Sequence, residues 1–287
     1  MRFFKIFPLL NLHQIGLEKF CKHLCLQIND HGEKTLKKTL EIPFNHKRYP
    51  VVYSDYLTNL FEYIADIVET YQPLVETYYG LIRSIKIKKN PHFLLLGHGK
   101  LFNFVSMLQS ACDTRVEHAM NSFKSQRKFD NIFRRIQQSS ILTQRTLATT
   151  GNNLMTTDLA SADKIDPREL DDFLAEITLI NASCELYLRF VRRRLNADCE
   201  AAFPLVNETK ADECVKQLKE IERFLNHSGL CRILHEFINQ YITIEDYFMR
   251  ESIYKAILLD SPEMVDDVFF ILRKCLKYEI LRLSKSK

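Results

Sequence analysis

Tryptophan is absent from this 287-residue chain, and glycine and proline are scarce, at 7 and 8 residues. Glycine and proline mark turns and break helices, so their scarcity predicts long helices joined by few turns. No stretch approaches the long uncharged run that a membrane-spanning helix requires. The apolar start, Met1 to Leu10, is interrupted by Lys5 and Pro8, and no small-residue cleavage site follows, so it does not read as a signal peptide. Excess charge of one sign is lacking too. The formal balance is +4, but Arg83, Lys86, Lys88, Lys89 and Lys100 fall together in an acid-free segment from Leu81 to Lys100, and the rest of the chain is close to neutral. That balance supplies no broad basic footprint, and no nucleic-acid partner is expected.

What is present suits an ordered core: 46% of the residues are hydrophobic and 26% charged. The eight cysteines, at positions 21, 25, 112, 184, 199, 214, 231 and 275, are scattered and mostly alternate with apolar helical residues. That is the pattern of reduced, buried thiols in a cytosolic protein. Cys21 and Cys25 share a helix face near His23, but a metal site needs two further ligands that the spacing does not place, so no metal and no cofactor are expected. A cytosolic location leaves the sequons at Asn181, Asn207 and Asn226 unused.

Hydrophobic spacing of three and four residues predicts an all-α chain. From Asp166 to Asp198 the stripe Phe173, Ile177, Ile180, Cys184, Leu188, Val191 and Leu195 defines a long amphipathic helix, opened by Asp166 as N-cap and Pro167 in the first turn. A second helix begins near Ser54 or Asp55 and uses Leu57, Phe61, Ile64, Val68 and Tyr71, until Pro73 kinks or divides it. A third, Leu101 to Arg127, buries Leu101, Val105, Leu108, Cys112, Val116, Ala119 and Phe123, with a continuation around Ile132 and Ile136. Beyond Pro204, helices are expected over 208–225, 230–259 and 262–283. The expected organisation is a helical bundle over 1–148 with an irregular insertion at 81–98, a polar linker over 149–164, and a second bundle over 165–287. Antiparallel bundles of this kind stack end to end.

Catalytic constellations fail on inspection. His235 and Glu236 begin a zinc-protease motif, but Asn239 stands where the second histidine belongs. Gly97 to Lys100 resembles a phosphate loop, but Leu94 and Leu101 occupy the positions that need Gly and Ser or Thr. The acidic pairs Asp171 and Asp172, Glu245 and Asp246, and Asp266 and Asp267 fall on first turns or polar faces of helices, where carboxylates are favoured without any catalytic role. No catalytic residue is expected. Two clusters are candidates for partner contact: Arg189 with Arg192, Arg193 and Arg194 at a helix C-terminal end, and Tyr247, Phe248, Met249, Arg250 and Glu251, which crowd more than one helix face. For the arginines the alternative is a solvated cluster, and for the aromatics it is packing between bundles.

Five blocks occur in order: FKIFPLLNL from Phe4, IVETYQPLVETYYG from Ile67, Leu174 to Leu195 ending in LYLRFVRRRL, EDYFMRE from Glu245, and VDDVFFILRKC from Val265. Together with a looser similarity over Gly99 to Phe133, they resemble the subunit-four family of the conserved oligomeric Golgi (COG) complex, in its internal portion. The resemblance implies a rod of stacked helical bundles, without enzymatic activity, that helps capture vesicles for intra-Golgi transport. Implied partners are other COG-complex subunits, SNAREs with their regulators, and small GTPases. The implied location is peripheral, on the cytosolic face of the Golgi membrane. The alternative is a scaffold subunit of another trafficking complex, exocyst-like in architecture. The chain departs from the family pattern at Leu81 to His98, which separates Tyr79-Gly80 from Gly99-Lys100-Leu101, and in lacking the family's N-terminal coiled coil and C-terminal bundles.

Overall fold

The computed structural model of the chain describes residues 2–43, 48–79, 100–149, 165–202, 208–259 and 262–283. Every regular element among the described residues is helical. A 3-10 turn at Arg2–Lys5 leads into α1 (Ile6–Leu9) and α2 (His13–Leu40), and a second at Tyr49–Val51 leads into α3 (Val52–Tyr79). Then follow α4 (Lys100–Gln126), α5 (Phe129–Thr149), α6 (Pro167–Ala202), α7 (Glu208–Asn226), α8 (Gly229–Leu258) and α9 (Met264–Leu283). The expected insertion at 81–98 lies outside the described residues, as does the expected linker apart from Thr149, the end of α5.

The predicted seams are interior. All seven residues read from the α4 stripe are buried, as are all seven from α6, and in α3 Leu57, Phe61, Ile64 and Val68 are buried while Tyr71 is partly exposed. The backbone N–H of Arg168 donates to Asp166 at 3.0 Å, so Asp166 caps α6 as its position before Pro167 requires.

Three details differ from expectation. Of the two expected effects of Pro73, division does not occur, and α3 runs on past it to Tyr79. The ring removes one helical hydrogen bond, and burial of Val75 and Tyr79 beyond it holds the last turns in place. The Ile132 and Ile136 segment is a separate helix, because Lys128 adopts a left-handed backbone at φ 51° and ends α4. Residues 13–40, for which the sequence reading sets no helix bounds, form one 28-residue helix. Its buried positions include the small residues Gly16, Cys21, Gly32 and Thr39, which dilute the hydrophobic signal.

The chain forms two compact units, each made of two stretches of sequence. One comprises Met1–Ala119 with Ala182–Leu234, the other Met120–Asn181 with His235–Lys287, so the boundaries fall inside α4, α6 and α8. In the first unit α2 packs on α3, and Phe20 meets Tyr71 edge-on at 5.4 Å and stacks at 6.4 Å on Phe104. Phe61 of α3 stacks on Tyr187 of α6 at 4.5 Å. In the second unit Phe123, Phe129, Phe173 and Phe237, from α4, α5, α6 and α8, form a cluster with ring centroids 5.4 to 6.3 Å apart. Burying aromatic surface of this size dominates core energetics.

Candidate functional site

The arginine run sits on α6 in the first unit, and two of its four members are engaged by neighbouring helices. Arg192 donates from Nε and Nη2 to Glu222 of α7 at 2.7 and 3.2 Å, and Arg194 donates to Glu69 of α3 at 3.1 Å. Arg189 lies 3.9 Å from Glu185 one turn earlier, and Arg193 is exposed. These partly solvated pairs each contribute little energy, in the range of about 0–1 kcal/mol. The run is not at a helix end, since α6 continues to Ala202. The macrodipole acts within the last turn, and Arg192 and Arg194 are accounted for by pairing with flanking helices instead.

The second cluster lies on α8 in the second unit and divides between interior and surface. Tyr247 and Phe248 are buried. The Tyr247 hydroxyl accepts the N–H of Ile165 at 3.2 Å, and the Lys274 ammonium lies 5.8 Å from the Phe248 ring centre. Arg250 is exposed and donates to Asp246 at 3.0 Å, while Met249 and Glu251 are partly exposed.

Sequence reasoning missed a run of exposed apolar residues on α8 and α9. On the last turns of α8 Tyr254, Ile257 and Leu258 are exposed, followed by Leu259 at 74%, and on α9 so are Val265, Phe269 at 66% and Phe270 at 67%. No residue from Met264 to Lys274 is buried, although most are apolar. The signal was available in VDDVFFILRKC, whose apolar residues occupy more of the helix circumference than one buried stripe needs. Isolated exposed apolar residues are ordinary, but contiguous patches mark contact surfaces. Asp266 and Asp267, also exposed, lie in the first turn of α9, where the helix dipole favours carboxylates.

Buried polar groups serve helix packing. Tyr187 donates to Gln109 Oε1 at 3.0 Å, and Gln109 Nε2 donates to Asp113 at 2.8 Å. Asp113 in turn accepts the N–H groups of Gly229 and Leu230 at 2.8 and 3.0 Å, capping α8 from α4. In the second unit Arg127 donates twice to Glu176, both at 2.8 Å, in a site where both side chains are nearly inaccessible. Burial pushes the Glu176 carboxyl above its usual range, and the Arg127 guanidinium opposes that shift. Of the acidic pairs, Asp171 is held by Lys274, and Glu245 accepts the Tyr241 hydroxyl at 3.1 Å. Cys25 donates to the Met107 carbonyl at 3.4 Å, and burial pushes the Cys21 thiol up to about 12. An open cavity of about 380 Å³ between α6 and α7 is lined by Asn196, Val215, Leu218, Lys219, Glu222 and Arg223.

These features define an all-α bundle protein in which the buried polar side chains join helices, and in which exposed apolar residues are grouped on α8 and α9 as well as on the N-terminal segment. The chain matches the family described as COG4 transport protein, middle alpha-helical bundle, over residues 2–282. It is 43% identical to conserved oligomeric Golgi complex subunit 4 of Mus musculus over 284 residues, covering 96% of this chain and 31% of that protein. Its identity to subunit 4 of Homo sapiens is 41% at the same coverage, and to that of Drosophila melanogaster 35%, over 96% of this chain and 34% of the relative. The chain belongs to the COG4 family. It spans about a third of the length of the curated relatives it matches. These matches favour the Golgi-complex reading over the exocyst-like alternative. No solved structure matches.

Proposed function

We propose that this chain is the middle helical part of a non-enzymatic subunit of a Golgi vesicle-tethering complex, where it holds contact surfaces at fixed positions during intra-Golgi transport. The observation that carries this reading is the match to subunit 4 across 96% of the chain. Two structural features support it. Of the acidic pairs considered in the sequence, Asp171 and Glu245 are engaged in packing. The exposed hairpin of α8 and α9 offers apolar anchors to other helices, the usual source of affinity in a contact of this kind.

In this reading the direct partners are other subunits of the complex, and SNAREs, their regulators and small GTPases engage the assembly. Arg193 and Arg250 are the exposed members of the two sequence clusters, and Arg189, Arg192, Arg194, Met249 and Glu251 are partly exposed, so these side chains are the ones open to such contacts. No helix among the described residues is long and apolar enough to cross a membrane. In this reading the chain reaches the cytosolic face of the Golgi through its partners. Affinity purification of the tagged chain from its own cells tests the proposal. Other subunits of the complex are expected to co-purify. A folded, well-expressed chain that brings down none of them overturns it.

A further inference from the structure

Cys199 stands in the last turn of α6 and Cys214 on α7, and their sulfurs lie 3.7 Å apart. A disulfide bond is about 2.05 Å long. The remaining gap is smaller than the distance one sulfur travels when its side chain changes rotamer. The two sulfurs differ in access. Cys199 is 4% exposed and also lies 3.6 Å from Gln217 Oε1, whereas Cys214 is partly exposed. One thiol therefore meets solvent while the other waits directly behind it, the arrangement of an attacking and a resolving cysteine.

We propose that Cys199 and Cys214 form a reversible clasp, converting between a dithiol and an intramolecular disulfide by exchange with a low-molecular-weight disulfide such as oxidised glutathione. The Cys214 thiolate attacks one sulfur of oxidised glutathione, making a Cys214–glutathione bond and releasing one glutathione thiolate. Cys199 then loses its proton to solvent, and its thiolate attacks the Cys214 sulfur and expels the second glutathione. The two protein thiols give up two electrons and two protons, and oxidised glutathione takes them up to become two reduced molecules. Burial, with the neighbouring Cys214 thiol, pushes Cys199 up to about 12. The contribution of Cys214 disappears once that sulfur is in the mixed disulfide, which favours the resolving step. The bond ties the end of α6 to α7 across the connection between them.

The test treats the native full-length chain with oxidised glutathione, alkylates the remaining thiols and maps the products by mass spectrometry under non-reducing conditions. All eight cysteines are free in the reduced protein. Oxidation is expected to lower the alkylatable number by two, to yield a peptide pair joining Cys199 to Cys214, and to be reversed by dithiothreitol. C199S is expected to retain glutathione on Cys214, and C214S to leave Cys199 unmodified. The proposal is overturned by an unchanged thiol count, by linkage through other cysteines, or by glutathione remaining on Cys214 in the wild-type protein. If either variant misfolds, the linked peptide from the wild-type protein decides the matter.

Discussion

Arg127 and Glu176 place opposite charges where water hardly reaches, so each depends on the other. Removing one partner of such a pair leaves an uncompensated buried charge, which costs about 3–5 kcal/mol, whereas replacing both with apolar residues of similar size is often close to neutral. R127M is thus expected to lower the urea-unfolding free energy by that amount, and the R127M/E176M double variant to recover most of it. The loss also depends on pH. A carboxyl whose folded value is raised favours folding fully below its unfolded value, near 4.5, and loses that contribution as pH rises through the folded value. R127M removes the guanidinium that opposes the rise, so its deficit relative to wild type is expected to be larger near neutral pH than at about pH 5. Lys128 gives a prediction of opposite sign. Its left-handed backbone carries a steric penalty that glycine avoids, so K128G is expected to raise stability by about 1 kcal/mol in thermal or urea unfolding.

At the scale of elements, the N-terminus of α8 is capped by a side chain from another helix. Asp113 supplies both oxygens to Gly229 and Leu230, and a Cβ on Gly229 would stand 2.9 Å from that carboxylate. D113A is expected to cost about 1–2 kcal/mol by urea unfolding, the usual loss for a helix cap. The seams of α4 and α6 were legible in the sequence because their apolar residues recur every three or four positions around large side chains. Helix α2 was not, since glycine, cysteine and threonine fill part of its interior face and carry little hydrophobic contrast. The break before α5 was hidden because lysine, rather than the expected glycine, takes the left-handed position. For the candidate clusters the sequence located the side chains but not their engagement. What Arg192 and Arg194 meet depends on Glu222 and Glu69, which local spacing does not bring into register with α6.

At the scale of the whole molecule, stability and partner contact should separate by substitution. Phe269 and Phe270 are mostly exposed, so F269S/F270S is expected to leave the unfolding midpoint nearly unchanged while weakening co-purification with other subunits of the complex. F248A, in the interior of the same unit, is expected to reduce stability by about 3–5 kcal/mol. Comparing thermal unfolding with pull-down yield for the two variants checks both outcomes. The discontinuity of the units in sequence also bears on biosynthesis. The rings of Phe123, Phe129 and Phe173 emerge from the ribosome well before Phe237, the partner that completes their cluster, because residues 182–234 of the other unit are made in between. At about 5–20 residues per second, that aromatic surface stays uncovered for several seconds in each nascent chain, long enough for a chaperone to bind it.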